Sequence, residues 1–157
     1  MSTSALFEAI DQLLLASLTY AKLACMDSLI IREAQPSDAA PLLAYIRRLL
    51  AEPNINLPLT PGEFNFTVEE EQQLLADSAA AENSIYLIAE VSGQLVGEIN
   101  CKGGQRQATR HSALLGLSVG QAWRNQGIGS ALMAQAIDWA RGTGIVTRLE
   151  LQVYARN

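Results

Sequence analysis

Between residues 112 and 140 the hydrophobic period of this chain changes, and a glycine-rich loop marks the change. Ser112 to Val119 reads as a strand, whereas Leu132, Met133, Ala136, Ile137 and Ala140 recur at helical spacing. The connection contains Arg124-Asn125-Gln126-Gly127-Ile128-Gly129-Ser130. When a strand feeds a helix through such a loop, the N–H groups of the first helical turn have no intrahelical partner, and the helix dipole favours negative charge there. Gly127 and Gly129 carry no Cβ, so a phosphate can approach the backbone closely, and Arg124 adds a cation. The junction can therefore cradle a pyrophosphate. A Gly-x-Gly turn can also enter an ordinary helix with no ligand, so the rest of the chain has to decide.

The remaining pattern is that of a mixed α/β chain. Ser4 to Ala24 carries Leu6, Ile10, Leu13, Leu14 and Leu18 on one helical stripe. Leu29 to Arg32 is a short β run, and Ser37 is placed to cap a helix with the stripe Leu42, Leu43, Ile46, Leu49 and Leu50. Residues 52–66 hold Pro53, Pro58, Pro61 and Gly62 and read as a loop of the kind that faces substrate. Thr67 with Glu70 spells a capping box opening a further helix through Leu75. Ile85 to Glu90 and Gln94 to Asn100, joined by Val91-Ser92-Gly93, form a hairpin. The loop Lys102 to Arg110 leads into the strand ending at Val119, Gly142 and Gly144 stop the helix after the glycine loop, and Thr147 to Tyr154 is a last strand. Strands outnumber crossovers, which predicts an α/β (α+β) domain on a mostly antiparallel sheet, with one parallel pair across the last helix.

Composition narrows the function classes. At 157 residues, 49% of them hydrophobic, the chain fits a single ordinary domain with a real core. A net charge of −5 argues against a nucleic-acid footprint. Cys25 and Cys101 lie far apart without CxxC spacing, so neither a metal site nor a disulfide framework is expected. Glu8, Asp11 and Lys22 interrupt the apolar N-terminal stretch, which is neither signal peptide nor membrane span, and a cytoplasmic protein is expected.

The run Arg124-x-x-Gly127-x-Gly129 matches the Gln/Arg-x-x-Gly-x-Gly/Ala motif of the GNAT N-acetyltransferases, and Val119 precedes it at that family's spacing. The likeness extends outward. Leu29 to Ala34 followed by Ser37-Asp38 resembles the family's first strand and helix start, Leu95-Val96-Gly97-Glu98 its third strand, and Leu149 to Val153 with Asn157 its fifth strand and the asparagine beyond. The resemblance covers residues 28–157, with residues 1–27 as an added amphipathic helix. It implies acetyl transfer from acetyl-CoA to a primary amine, on a small molecule or a peptide, by direct attack and without a metal. The backbone N–H groups of Leu117 and Val119 would face the pantetheine arm and thioester. Arg124, Gln126, Gly127, Ile128, Gly129 and Ser130 would hold the pyrophosphate, with Asn157 as a further cofactor contact.

Two features depart from the family pattern. Many members place a glutamate on the fourth strand as general base, and here His111 to Gly116 contains no acid. The candidates for that role are Glu98, otherwise a solvated carboxylate on a strand face, and His111, otherwise a loop-end residue. The family also continues past the asparagine into a helix and two strands that are not in this sequence, so an incomplete family fold is expected. The uncovered edge would then suit the N-terminal helix or a homodimer. Tyr154, Trp123 and the cations Lys102, Arg106 and Arg110 are read as sheet-face, packing and solvated-loop residues. The competing readings are a non-catalytic acyl-CoA-binding module and a dinucleotide site, the latter suggested by Glu150 about 20 residues beyond the glycines.

Overall fold

The computed structural model describes residues 28–53, 55 and 62–152. The expected N-terminal helix, Cys25, Tyr154 and Asn157 lie outside them. The described chain runs β1 (Leu29–Glu33), α1 (Ala39–Leu50), α2 (Val68–Ala80), β2 (Ile85–Val91), β3 (Gln94–Gly103), β4 (Ser112–Val119), α3 (Ile128–Thr143) and β5 (Arg148–Leu151). The sheet order follows the chain, β1-β2-β3-β4-β5. Every neighbouring pair is antiparallel except β4 and β5, which α3 joins in parallel. This order excludes the dinucleotide reading. A dinucleotide site opens a sheet of successive parallel βαβ units, whereas β4–α3–β5 is the one parallel unit among the described residues and stands at the end of an otherwise antiparallel sheet.

Local chemistry explains most boundaries. The β2–β3 hairpin turns on Ser92 and Gly93, with φ of 51° and 78°, the left-handed pair that matches the twist of a two-residue turn. At the start of α2 the Thr67 hydroxyl accepts from the Glu70 N–H at 3.2 Å, and the Glu70 carboxylate accepts from the Thr67 N–H at 2.9 Å. The expected capping box is thus formed. The expected cap at Ser37 is not. A short 3-10 turn, Pro36–Asp38, precedes α1, and the Asp38 carboxylate takes the Gln35 N–H at 2.7 Å. Arg32 also reaches Asp38 at 2.7 Å and Glu90 at 2.9 Å, so its guanidinium holds the Asp38 carboxyl below the usual range and ties β1 to the start of α1. α3 passes through Gly142 and stops at Gly144, whose φ of 65° suits the left-handed residue after a helix. β3 runs three residues beyond its expected end at Asn100, to Gly103.

The sheet is a central layer with helices on both faces. Strand alternation sends Ile99, Cys101, Ala113 and Leu115 to one face, where they pack with Ile128, Leu132 and Ala136 of α3. Tyr86 and Ile88 pack on the other face with Leu42, Tyr45 and Leu49 of α1 and Leu75 of α2. Cys101 is buried, which pushes its thiol up to about 11 and leaves it inert as a nucleophile. No helix among the described residues is long and apolar enough to cross a membrane.

Candidate active site

The site begins where two strands part. β4 pairs with β3 along its length and, among the described residues, with β5 (Arg148–Leu151) from Ser112 to Leu115 only. An antiparallel ladder alternates its hydrogen bonds, so one contact fixes the phase of the whole strand. The Gly120 N–H donates to the Val96 carbonyl at 2.9 Å and the Gly104 N–H to the Ser112 carbonyl at 3.0 Å. Even-numbered residues of β4 therefore bond toward β3, and the N–H groups of Leu117 and Val119 point the opposite way. Odd-numbered carbonyls obey the same phase. That of His111 accepts from Thr147 and Arg148, and that of Val119 from Arg124 Nε at 2.9 Å. The N–H groups of Leu117 and Val119 thus face away from β3, into a gap that no described residue of β5 fills.

Beside that gap stands the N-terminus of α3. Gly127 precedes the helix with φ 86°, no side chain caps it, and the first turn holds no acidic residue. The first helical bond runs from Ala131 N–H to the Gly127 carbonyl at 3.0 Å, which leaves the N–H groups of Ile128, Gly129 and Ser130 outside the helical ladder. A cleft of about 240 Å³ opens there, lined by Val119, Trp123, Arg124, Asn125 and the 127–130 turn. A Cβ on Gly129 would meet nothing closer than Val119 Cγ2 at 3.7 Å, so the protein's own packing does not require glycine there.

Two sequence candidates are engaged otherwise than expected. The Arg124 guanidinium pairs with the Glu52 carboxylate, whose other oxygen accepts the Gln121 N–H at 2.8 Å. Glu52, two residues past the end of α1, thereby fastens that helix end to the glycine loop, a contact no local pattern announces. Gln126 turns back to the Ala122 carbonyl at 2.9 Å and braces the loop instead of lining the cleft.

Glu98 is the main correction to the sequence reading. It is not a solvated strand-face carboxylate, since its face of β3 lies under α1 and α2 and it is 8% exposed. Ser118 Oγ donates to its Oε1 at 2.9 Å and Asn100 Nδ2 to its Oε2 at 3.3 Å. The Tyr45 hydroxyl from α1 lies 3.0 Å from Ser118 Oγ. Burial raises the Glu98 pKa against the lowering pull of donors from Ser118, Asn100 and Tyr86, and burial likewise raises that of Glu71 on α2. Ser118 sits between Leu117 and Val119, so this buried carboxylate reaches the strand that borders the gap. His111 is exposed at the opposite end of β4, about 26 Å from Val119 at strand rise. Tyr45 and Ser118 were missed by sequence reasoning. Their only signals were a lone aromatic on the leucine stripe of α1 and a hydroxyl in an apolar strand.

Among the described residues no cluster of His, Cys, Asp and Glu could hold a metal ion. The groups gathered here can bind a diphosphate on a helix N-terminus, a carbonyl oxygen on a strand N–H, and a proton on a buried carboxylate.

Comparison with known proteins agrees with that chemistry. The sequence model of the acetyltransferase (GNAT) family matches residues 45–157. The chain is 30% identical over 134 residues to the L-amino acid N-acetyltransferase AaaT of Escherichia coli (strain K12), covering 84% of this chain and 76% of that protein. A solved acetyltransferase of the GNAT family from Streptococcus pneumoniae superposes with a TM-score of 0.79 at 38% identity, over 82% of this chain and 77% of the other. The fold is also that of yncA from Salmonella typhimurium, solved with acetyl-CoA, at TM-score 0.66 and 17% identity over 82% and 72% of the two chains. With its glycine loop, its parted β4 and β5 and a family match over most of its length, this chain belongs to the acetyltransferase (GNAT) family, enzymes that transfer an acetyl group from acetyl-CoA to an amine.

Proposed function

We propose that the chain acetylates the α-amino group of a free L-amino acid in the cytoplasm, with residues 28–157 as the catalytic domain. The observation that carries the assignment of the site is the direction of the Leu117 and Val119 N–H groups, into the gap beside the α3 N-terminus. The pyrophosphate of acetyl-CoA rests on the N–H groups of Ile128, Gly129 and Ser130, where the helix dipole favours it. Arg124, held by Glu52, frames that cradle. The pantetheine arm follows the edge of β4 at Leu117, and the Val119 N–H donates to the thioester oxygen as charge builds on it. Glu98 takes the proton that the amine loses. His111 has no part in this arrangement. The amino acid acceptor is supported by the 30% identical relative, an L-amino acid N-acetyltransferase, and the Glu98 carboxylate behind Ser118 suits an acceptor that gives up a proton.

Catalysis through Glu98 has a definite pH sense. The carboxyl must be ionised to accept a proton, and burial lifts its pKa, so activity rises with pH along a limb above the ordinary glutamate value of about 4.3.

The acceptor assignment is tested by CoA thiol release from acetyl-CoA with the twenty common L-amino acids, a polyamine and a peptide with a free N-terminus. Turnover with one or more amino acids is expected. Exclusive turnover of the polyamine or peptide would replace the acceptor, and acetyl-CoA binding without turnover of any amine would favour the non-catalytic module. The cradle makes a separate prediction. Gly129→Ala should melt no lower than wild type, because the Cβ has room and alanine suits a helix better. Its acetyl-CoA affinity should fall by about tenfold, since the added methyl stands where the phosphate approaches. Unchanged affinity would remove Gly129 from the cradle.

A further inference from the structure

We propose that Ser118, held by Tyr45, is the group that receives the amine's proton and passes it to Glu98, so that Tyr45, Ser118 and Glu98 form one directional relay. The inference rests on the reading of Glu98 as the proton acceptor and adds two residues to it. Glu98 is too enclosed to act alone. It is 8% exposed, its Oε1 is taken by Ser118 and its Oε2 by Asn100. Ser118 is half-buried on β4 itself, between the residues whose N–H groups face the gap.

The hydrogens of the chain are determined by counting. An ionised carboxylate can only accept, so the single Ser118 proton points to Glu98 Oε1 at 2.9 Å. The Tyr45–Ser118 contact at 3.0 Å must then use the tyrosine's proton. Ser118 Oγ is left with one lone pair, the one that can take an incoming proton. Burial keeps the Tyr45 phenol protonated well above the ordinary tyrosine range, so Tyr45 orients the serine and does not itself titrate. The titratable groups around Glu98 are Tyr45 from α1, Glu71 from α2 and Tyr86 from β2. Glu71 raises its pKa, and Glu52 and Arg124 act on Tyr45 with opposite sign.

The acceptor's ammonium gives its first proton to solvent and reacts as the free amine. The amine nitrogen attacks the thioester carbon and the N–C bond forms. A proton leaves nitrogen for Ser118 Oγ while the serine's own proton moves to Glu98 Oε1. The C–S bond breaks with its electron pair on sulfur, and the proton on Glu98 returns through Ser118 to the departing thiolate. The enzyme ends in its starting protonation state.

Ser118→Ala, Ser118→Thr, Tyr45→Phe and Glu98→Gln, each checked by thermal melting, are compared in kcat, KM for acetyl-CoA and pH profile with the best amine acceptor of the panel above. Ser118→Ala should lose about 100-fold in kcat with KM for acetyl-CoA little changed, and Ser118→Thr, which keeps the hydroxyl, should recover most of it. Tyr45→Phe should lose about tenfold. The acid limb of Ser118→Ala should move to higher pH, because a donor that favoured ionised Glu98 has gone, and ¹³C titration of the Glu98 carboxyl in the free protein should show the same upward move. Should Ser118→Ala fail to fold, Ser118→Thr and Tyr45→Phe carry the comparison. Wild-type kcat and an unmoved acid limb in Ser118→Ala or Tyr45→Phe, with Glu98→Gln inactive, would overturn the relay and leave Glu98 as base. Full activity of Glu98→Gln would overturn both.

Discussion

Gly127→Glu should lose roughly 100-fold or more in acetyl-CoA affinity, the largest effect expected from any single change in the cradle. Two costs combine. At φ 86° an L side chain is strained by about 1–2 kcal/mol, which weakens the turn that aims the N–H groups of Ile128, Gly129 and Ser130. The new carboxylate then stands at the positive end of α3, where the diphosphate should lie. At 4 Å and a surface-like dielectric a pair of like charges costs about 4 kcal/mol, so even a partly screened repulsion suffices. Gly127→Ala isolates the backbone strain and should bind several-fold tighter than Gly127→Glu. Calorimetric titration with acetyl-CoA reads both variants, and binding of Gly127→Glu within tenfold of wild type would show that the ligand's phosphates rest elsewhere.

What could be read from the sequence was what is encoded over short spans. Alternation in Ser112 to Val119 gave the bounds of β4, the Thr67–Glu70 spacing gave a capping box, and the glycine loop placed the helix entry at residue 128. Those features depend on residues within one or two turns of each other. Errors appeared where two local signals competed, as when Gly142 and Gly144 both offered a stop and only Gly144 had the left-handed conformation. They also appeared at Ser37, which falls inside a 3-10 turn whose capping box joins Gln35 and Asp38, while no side chain caps α1.

The interior of the site was less legible, and the reason is covering. Alternation says which strand residues share a face with Glu98, but not that α1 and α2 will lie on that face. Its neighbour contacts join distant parts of the chain, with Ser118 separated from Tyr45 by 73 positions and Glu52 from Arg124 by 72. No pattern within β3 could announce a buried carboxylate held by side-chain donors from other elements, and the residue types alone favoured solvent.

Val119 carries the central claim, because the account assigns its N–H to the thioester and excludes it from the sheet. The phase of the β3–β4 ladder makes this testable. Proline at 119 removes an N–H that faces the gap, and the residue before proline prefers the extended conformation that Ser118 already has as a strand residue. The fold should therefore survive Val119→Pro, and the Val119 carbonyl remains available to Arg124. The decisive measurement is kcat of Val119→Pro for CoA thiol release at saturating acetyl-CoA and amine, beside its calorimetric affinity for acetyl-CoA. The account predicts a loss of about 10²- to 10³-fold in kcat, the usual cost of one oxyanion donor, with affinity within a few-fold of wild type. Wild-type turnover by a folded Val119→Pro would contradict it.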